Sequence, residues 1–256
     1  MTDIPAARGA ALVTGGARRI GRAIVLALAG AGFDVAIHHR GPDDGQDDGA
    51  EATADEVRAM GRRAVTVAAD LTDEAQVREL IPAAVAALGQ LSALVNNASV
   101  FEDDRVGDLS RAGWDRHIET NLRAPIVLAE AFATQAPDGS AIINMLDQRV
   151  LKPDPRFFSY ALSRNGLWWA TRTLAQALAP RIRVNGVGPG PTLPSIHQTP
   201  ADFEAEAAAV PLQRPASPGA VAAAVLWLVD AGLVTGQMIA VDGGQHLAWR
   251  TPDIVE

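Results

Sequence analysis

The chain has no cysteine, a single tyrosine and only 5% aromatic residues, and it carries no long uninterrupted apolar run. Without a thiol there is no disulfide, no thiolate nucleophile and no cysteine-bound metal, although the compartment is left open. Apolar stretches break well short of the roughly 20 residues that a membrane-spanning helix needs. Met1-Thr2-Asp3 opens no basic segment followed by an apolar one, so the cytoplasm is the expected location and no membrane partner is expected. A formal charge of −8 argues against nucleic acid, because no basic face is large enough to dominate the field. A few arginines at one site still override that sign over the roughly 8–10 Å that salt leaves unscreened. The acidic run from Asp43 to Asp48 reads as a solvated loop, and no metal is expected there.

What is present is a large apolar fraction, 48% of 256 residues, with no linker, repeat or composition break. Residues 1–256 are therefore expected to form one domain. Short apolar runs fall at Ala10–Val13, Phe33–Ile37, Ala64–Ala68, Leu94–Val95, Ala141–Met145, Ile182–Val187 and Met238–Val241. They lack the polar alternation of a half-exposed sheet, as strands covered on both faces do. Between them lie helical stretches near Arg19–Ala31, Ala50–Met60, Asp73–Leu88, Trp114–Ala133, Phe157–Leu178, Pro200–Ala209 and Pro218–Val229. This alternation predicts an α/β fold of the Rossmann type, a doubly wound parallel sheet of about seven strands with helices on both faces. Ligands then bind at the carboxyl ends of the strands. The Pro- and Gly-rich stretch Gly188–Thr199 belongs at that edge.

The first strand runs into Thr14-Gly15-Gly16-Ala17-Arg18-Arg19-Ile20-Gly21. A strand, a tight glycine turn and a helix start present backbone N–H groups to a pyrophosphate. Gly15 lets the chain turn, and Gly21 is expected to let the helix pack closely on the sheet. Farther on, Asn96-Asn97-Ala98-Ser99 ends the fourth strand, Asn121 lies in mid-helix and Tyr160 opens a long helix. Asparagine also ends strands for conformational reasons alone, and buried in a helix it needs a partner.

Taken in order, these motifs resemble the short-chain dehydrogenase/reductase family along essentially the whole chain, through Pro189-Gly190 to Val241-Asp242-Gly243-Gly244. The resemblance implies a reductase in which Tyr160 donates a proton while a reduced nicotinamide gives a hydride. Asn121 would complete a water-linked proton path. The usual serine is replaced: thirteen residues before Tyr160 stands Asp147. That aspartate, with Arg19 and with Phe101 two residues past Ser99, resembles the pteridine reductase subgroup. There an aspartate works with the tyrosine on a ring nitrogen, and an aromatic residue stacks on the pterin opposite the nicotinamide. A carboxyl also hydrogen-bonds an aminopyrimidine edge.

The cofactor implied is NADPH. The second strand ends Ile37-His38-His39-Arg40 without the acid that binds a free ribose 2′-hydroxyl. Arg40 and Arg18 can fork onto a 2′-phosphate with help from His39. The same resemblance assigns Gly15, Arg19, Ile20, Gly21, Asp70, Leu71, Asn97, Ala98, Ser99, Tyr160, Arg164, Pro189, Gly190 and Thr192 to the cofactor, and Arg19, Ser99, Phe101, Asp147 and Tyr160 to the substrate. In the family's Tyr-x-x-x-Lys spacing a lysine anchors the ribose, but this chain has Arg164. Arginine keeps the charge yet differs in shape and aim, so the exchange is not conservative. Two rivals follow: a ketone or 3-oxoacyl reductase of the same fold, and a weakly catalytic NADPH binder or sensor. Trp168 and Trp169, adjacent on the helix of Tyr160, suit one ring in the core and one towards a neighbour. The family expectation is a homotetramer acting on a small molecule.

Overall fold

A computed structural model describes residues 7–41, 49–195 and 197–249. The acidic run Asp43 to Asp48 lies outside the described residues. Seven strands form one sheet: β1 (Ala10–Val13), β2 (Asp34–His39), β3 (Ala64–Ala68), β4 (Leu91–Asn96), β5 (Ser140–Met145), β6 (Ile182–Pro189) and β7 (Met238–Val241). All pairings are parallel, in the order β3-β2-β1-β4-β5-β6-β7. The helices are α1 (Arg19–Gly30), α2 (Ala50–Ala59), α3 (Glu74–Leu88), α4 (Arg111–Ile118), α5 (Ala124–Gln135), α6 (Phe158–Leu178), α7 (Pro200–Ala209) and α8 (Pro218–Asp230).

The strands are apolar on both faces because two helical layers cover them. Leu12, Leu94 and Ile142 enter one core with Leu80 of α3 and Phe132 of α5. Their neighbours Val13, Val95 and Ile143 enter the other core with Ile24 and Leu28 of α1 and Val225 of α8. Alternate residues of one strand thus feed opposite layers, as the two-residue strand repeat requires. The chain leaves the sheet edge at β3 and returns beside β1 as β4. That reversal opens a crevice at the carboxyl ends of β1 and β4. No helix of the described residues is long and apolar enough to cross a membrane.

Two elements differ from the sequence expectation. β4 begins three residues before Leu94, at Leu91, because the polar Ser92 within it points to the turn before β1 and bonds the Arg8 carbonyl. The helix expected over Trp114–Ala133 is α4 and α5 joined by a wider π-type turn, Glu119–Arg123. Such turns inside a helix often mark working sites. Asn121 sits in this one, fully buried.

Candidate active site

The glycine turn after β1 is held from below by side chains. The Thr14 hydroxyl oxygen accepts the N–H groups of Asn97 and Ala98 at 2.9 and 3.0 Å. Asn97 Nδ2 donates in return to the carbonyls of Thr14 and Gly15 at 2.8 and 3.0 Å. Gly15 has φ +60, a conformation that suits glycine. Its N–H donates to Nδ1 of the buried His38 at 3.0 Å, while His38 Nε2 faces the Ala69 carbonyl at 3.0 Å. A carbonyl only accepts, so the His38 proton is on Nε2 and the ring is neutral. A Cβ on Gly21 would stand 2.0 Å from the Gly15 carbonyl oxygen and 2.7 Å from Asn97 Nδ2. The requirement for glycine at 21 therefore comes from the turn itself, not from helix–sheet packing as the spacing suggested.

At the far corner Arg40 lies 3.8 Å from the Asp70 carboxylate. Asp70 accepts the N–H and hydroxyl of Thr72 at 2.9 and 2.8 Å. The backbone bond in particular holds its carboxyl below the usual range. Arg18 stands exposed at the start of α1, and His39 is the last residue of β2. The Leu71 side chain is buried in the core, so only its backbone is available to a ligand. Thr192 is buried with its hydroxyl donating to the Gly190 carbonyl at 3.0 Å.

Tyr160 lies in the first turn of α6, and its hydroxyl donates to Asp147 Oδ2 at 2.8 Å. Asp147 follows β5 and also caps the short turn Gln148–Val150, its Oδ1 accepting the Arg149 N–H at 2.8 Å. Arg149 Nη1 approaches Oδ2 at 3.3 Å. Capping and tyrosine binding are thus joint duties of one carboxylate. Burial and the neighbouring Asp147 raise the Tyr160 pKa well above its ordinary value, against the opposing charge of Arg164. Arg164 sits one helical turn on, only 2% exposed, and Nη1 donates to the Met145 carbonyl at 2.9 Å. Its guanidinium carbon is 5.3 Å from the centre of the Tyr160 ring, and its Nε has no partner among protein atoms.

These side chains open on a cavity of about 740 Å³. Arg19, Ser99, Phe101, Asp147, Tyr160 and Arg164 line it, as do Ile20, Asn97, Pro189, Gly190 and Thr192. Arg19, at φ +54, bridges the cavity edge by donating to the Pro194 carbonyl at 2.9 Å.

Phe101 has aromatic partners that the sequence does not show. One face of its ring stacks on Phe157 at 4.2 Å and 16°, and its ring meets Tyr160 edge-on at 4.7 Å. The Arg149 guanidinium covers both phenylalanines at 5.7 and 5.4 Å. Phe157 has φ +54, a strained value for a bulky residue, and the sequence reading missed both it and Arg149. Asn121 is bonded to the protein through both ends of its amide. Its Nδ2 donates to the Val100 carbonyl at 2.9 Å and to Ser163 Oγ at 3.2 Å, and its Oδ1 accepts the Val100 N–H at 2.9 Å. These bonds fix the loop after β4.

The family model described as enoyl-(acyl carrier protein) reductase matches residues 15–246. The chain is 32% identical over 244 residues to the 3-oxoacyl-[acyl-carrier-protein] reductase FabG of Staphylococcus epidermidis, covering 93% of this chain and 98% of that one. Among solved structures, FolM alternative dihydrofolate reductase 1 from Brucella canis, complexed with NADP, is 50% identical with a TM-score of 0.91. That match covers 97% of this chain and 98% of the other. A blue fluorescent protein from a metagenomic library, in complex with NADPH, is 35% identical over 93% of this chain and 98% of that one, with a TM-score of 0.86.

Proposed function

The chain belongs to the short-chain dehydrogenase/reductase family, and on that premise we propose that it is an NADPH-dependent reductase of pteridine-type C=N bonds. Dihydropterins and dihydrofolate are the substrate class. The observation that carries the reading is the 2.8 Å bond from the Tyr160 hydroxyl to Asp147, where a ketone reductase of this family has a serine. A serine hydroxyl donates to a carbonyl oxygen. An aspartate accepts, and so suits a substrate edge rich in N–H groups. The 50% identity to a FolM dihydrofolate reductase supports the same class.

The residues present fit the cofactor. The glycine turn between β1 and α1 brings Arg19 and Ile20 to the cavity, where the N–H groups at the start of α1 suit a pyrophosphate. Arg164 has an Nε that no protein atom satisfies, and a ribose hydroxyl suits it. Arg18 and Arg40 suit a 2′-phosphate, and structures of four relatives hold NADP or NADPH.

When bound, the dihydronicotinamide supplies a hydride. Tyr160 supplies the proton: its raised pKa keeps the phenol protonated across neutral pH, as a donor must be. Asp147 holds the phenol in place and, with Arg149 bonded to it, remains able to accept from the substrate. Arg164 lowers the cost of negative charge on the phenol oxygen as the proton leaves. Phe101 and Phe157 form the apolar wall for a flat ring, and Arg19 ties the glycine turn to the loop at the mouth. Asn121 fixes the loop that carries Phe101.

The ketone reductase reading draws on the FabG similarity. The sensor reading draws on Arg164. Against the second, Lys152 is the only lysine in a chain with 22 lysines and arginines, so arginine at 164 follows a chain-wide preference. Arg164→Lys is expected to raise kcat a few-fold with NADPH affinity little changed, because an ammonium is the more compact charge beside Tyr160. An equal or lower rate means that the bond to Met145 has fitted the site to arginine. The protein is taken to work in the cytoplasm as a homotetramer, with the 66% exposed Trp169 and Leu162 seven residues before it available on α6. The function itself is tested by NADPH oxidation against dihydropterins, dihydrofolate and a ketone panel in parallel. Turnover of the first two is expected; failure with every pterin and success with a ketone overturns the reading.

A further inference from the structure

Phe101 is bracketed by two buried side chains from one helical face. Asn121 holds Val100 by both of its backbone polar groups. His117, four residues earlier and therefore on the same face, accepts the Glu102 N–H at Nε2, 3.1 Å away. A backbone N–H only donates, so Nε2 is bare and the His117 proton sits on Nδ1. Nδ1 then donates to Ser159 Oγ at 2.6 Å, and that hydroxyl donates to Asp104. Asp104 also accepts the Ser159 N–H at 3.0 Å. Its carboxylate thereby caps α6 from another segment, since the helix's own N-cap, Phe157, offers no capping side chain. The imidazole lies 6.1 Å from the Tyr160 ring, at 68°.

We infer that His117 is a positioning residue for the reduction: by tying Glu102 to Ser159 it sets the Phe101 wall against the Tyr160 phenol. It touches no reacting atom. What it governs is how a flat substrate ring is held, because Phe101 lies between the two clamped residues and Tyr160 follows Ser159. The arrangement works only with a neutral ring, since a proton on Nε2 would face the Glu102 N–H. Burial draws the His117 pKa below its usual 6.5; Asp104 and Glu102 pull it up, and Arg116 and Arg164 push it down. The clamp is therefore whole above pH 6.5 and released as pH falls through the lowered value. The unfolded chain takes the proton first, so the fold also loses stability as pH falls below 6.5.

This inference rests on the reductase reading, so one arm of its test needs no turnover. Histidine side-chain 15N NMR near pH 7.5, with the His117 signal identified by its loss in His117→Gln, is expected to show the Nδ1–H tautomer. In the kinetic arm, His117→Leu is expected to raise KM for a dihydropterin about tenfold, with kcat within about threefold and NADP binding unchanged. Gln offers an oxygen that accepts the Glu102 N–H and does not titrate. His117→Gln should therefore return KM close to the unmodified value and keep it flat as pH falls below 6.5, where the unmodified KM rises. An Nε2–H tautomer, an unmoved KM in His117→Leu, or the same acid rise in His117→Gln overturns the proposal. If the unmodified protein reduces no dihydropterin, the pteridine reading fails, and the tautomer alone decides the case of His117.

Discussion

Tyr160→Phe is expected to lower kcat by roughly a thousandfold, within the range of about 10²–10⁴ that a positioned proton donor supplies. NADPH binding should stay within about tenfold, because the cofactor loses at most one contact from a single hydroxyl. The chain has no second phenol, so no neighbouring tyrosine can substitute. Loss of the hydroxyl leaves Asp147 with both of its bonds to Arg149. The fold should therefore survive at a cost of about 1.5–3 kcal/mol, the worth of one hydrogen bond to a carboxylate. Stopped-flow single turnovers and NADPH titration of the same variant separate the two effects. Retention of most of the rate removes Tyr160 as the donor.

Gly21→Ala is expected to act on the other half of the site and on the fold together. The new methyl would overlap the Gly15 carbonyl oxygen, 2.0 Å away, and crowd Asn97 Nδ2. The carbonyl belongs to the turn, and Asn97, which follows β4, holds Thr14 and Gly15. Neither neighbour is the free end of a flexible chain, so the turn must shift. Overpacking of this kind costs about 1–3 kcal/mol. NADPH affinity should fall about a hundredfold, equivalent to about 2.8 kcal/mol, because the N–H groups aimed at a pyrophosphate move with the turn. Thermal unfolding and cofactor titration check both parts. A Gly21→Ala protein that binds NADPH normally would show that the turn relaxes at little cost.

Much of this fold was legible because strand and helix periods leave separate marks. Leu12 and Val13 feed opposite cores, which is why the strand runs read as continuously apolar. The order of glycine turn, Asn96-Asn97, Asn121, Asp147 and Tyr160 was legible too, and the fold gathers the last two into one hydrogen bond. What escaped notice depends on contacts distant in sequence. Nothing local marks Phe157 for a left-handed backbone or for the Phe101 ring 56 positions earlier. His117 was not singled out, because its partners Glu102 and Ser159 lie in other segments of the chain. The partner of Asn121 escaped for the same reason, since Val100 is bonded through backbone groups that no motif records. Gly21 was correctly marked as necessary, but its neighbour is a carbonyl of the turn and not the sheet.

The proposed reduction depends on a phenol and a carboxylate acting as one unit beside the nicotinamide. A crystal structure with NADP and a dihydropterin bound tests it most directly. The Tyr160 oxygen should lie within hydrogen-bonding distance of a ring nitrogen, on the side of the nicotinamide C4, with Asp147 on the substrate's N–H edge. A substrate ring held elsewhere, with Tyr160 turned away from the nicotinamide, contradicts it.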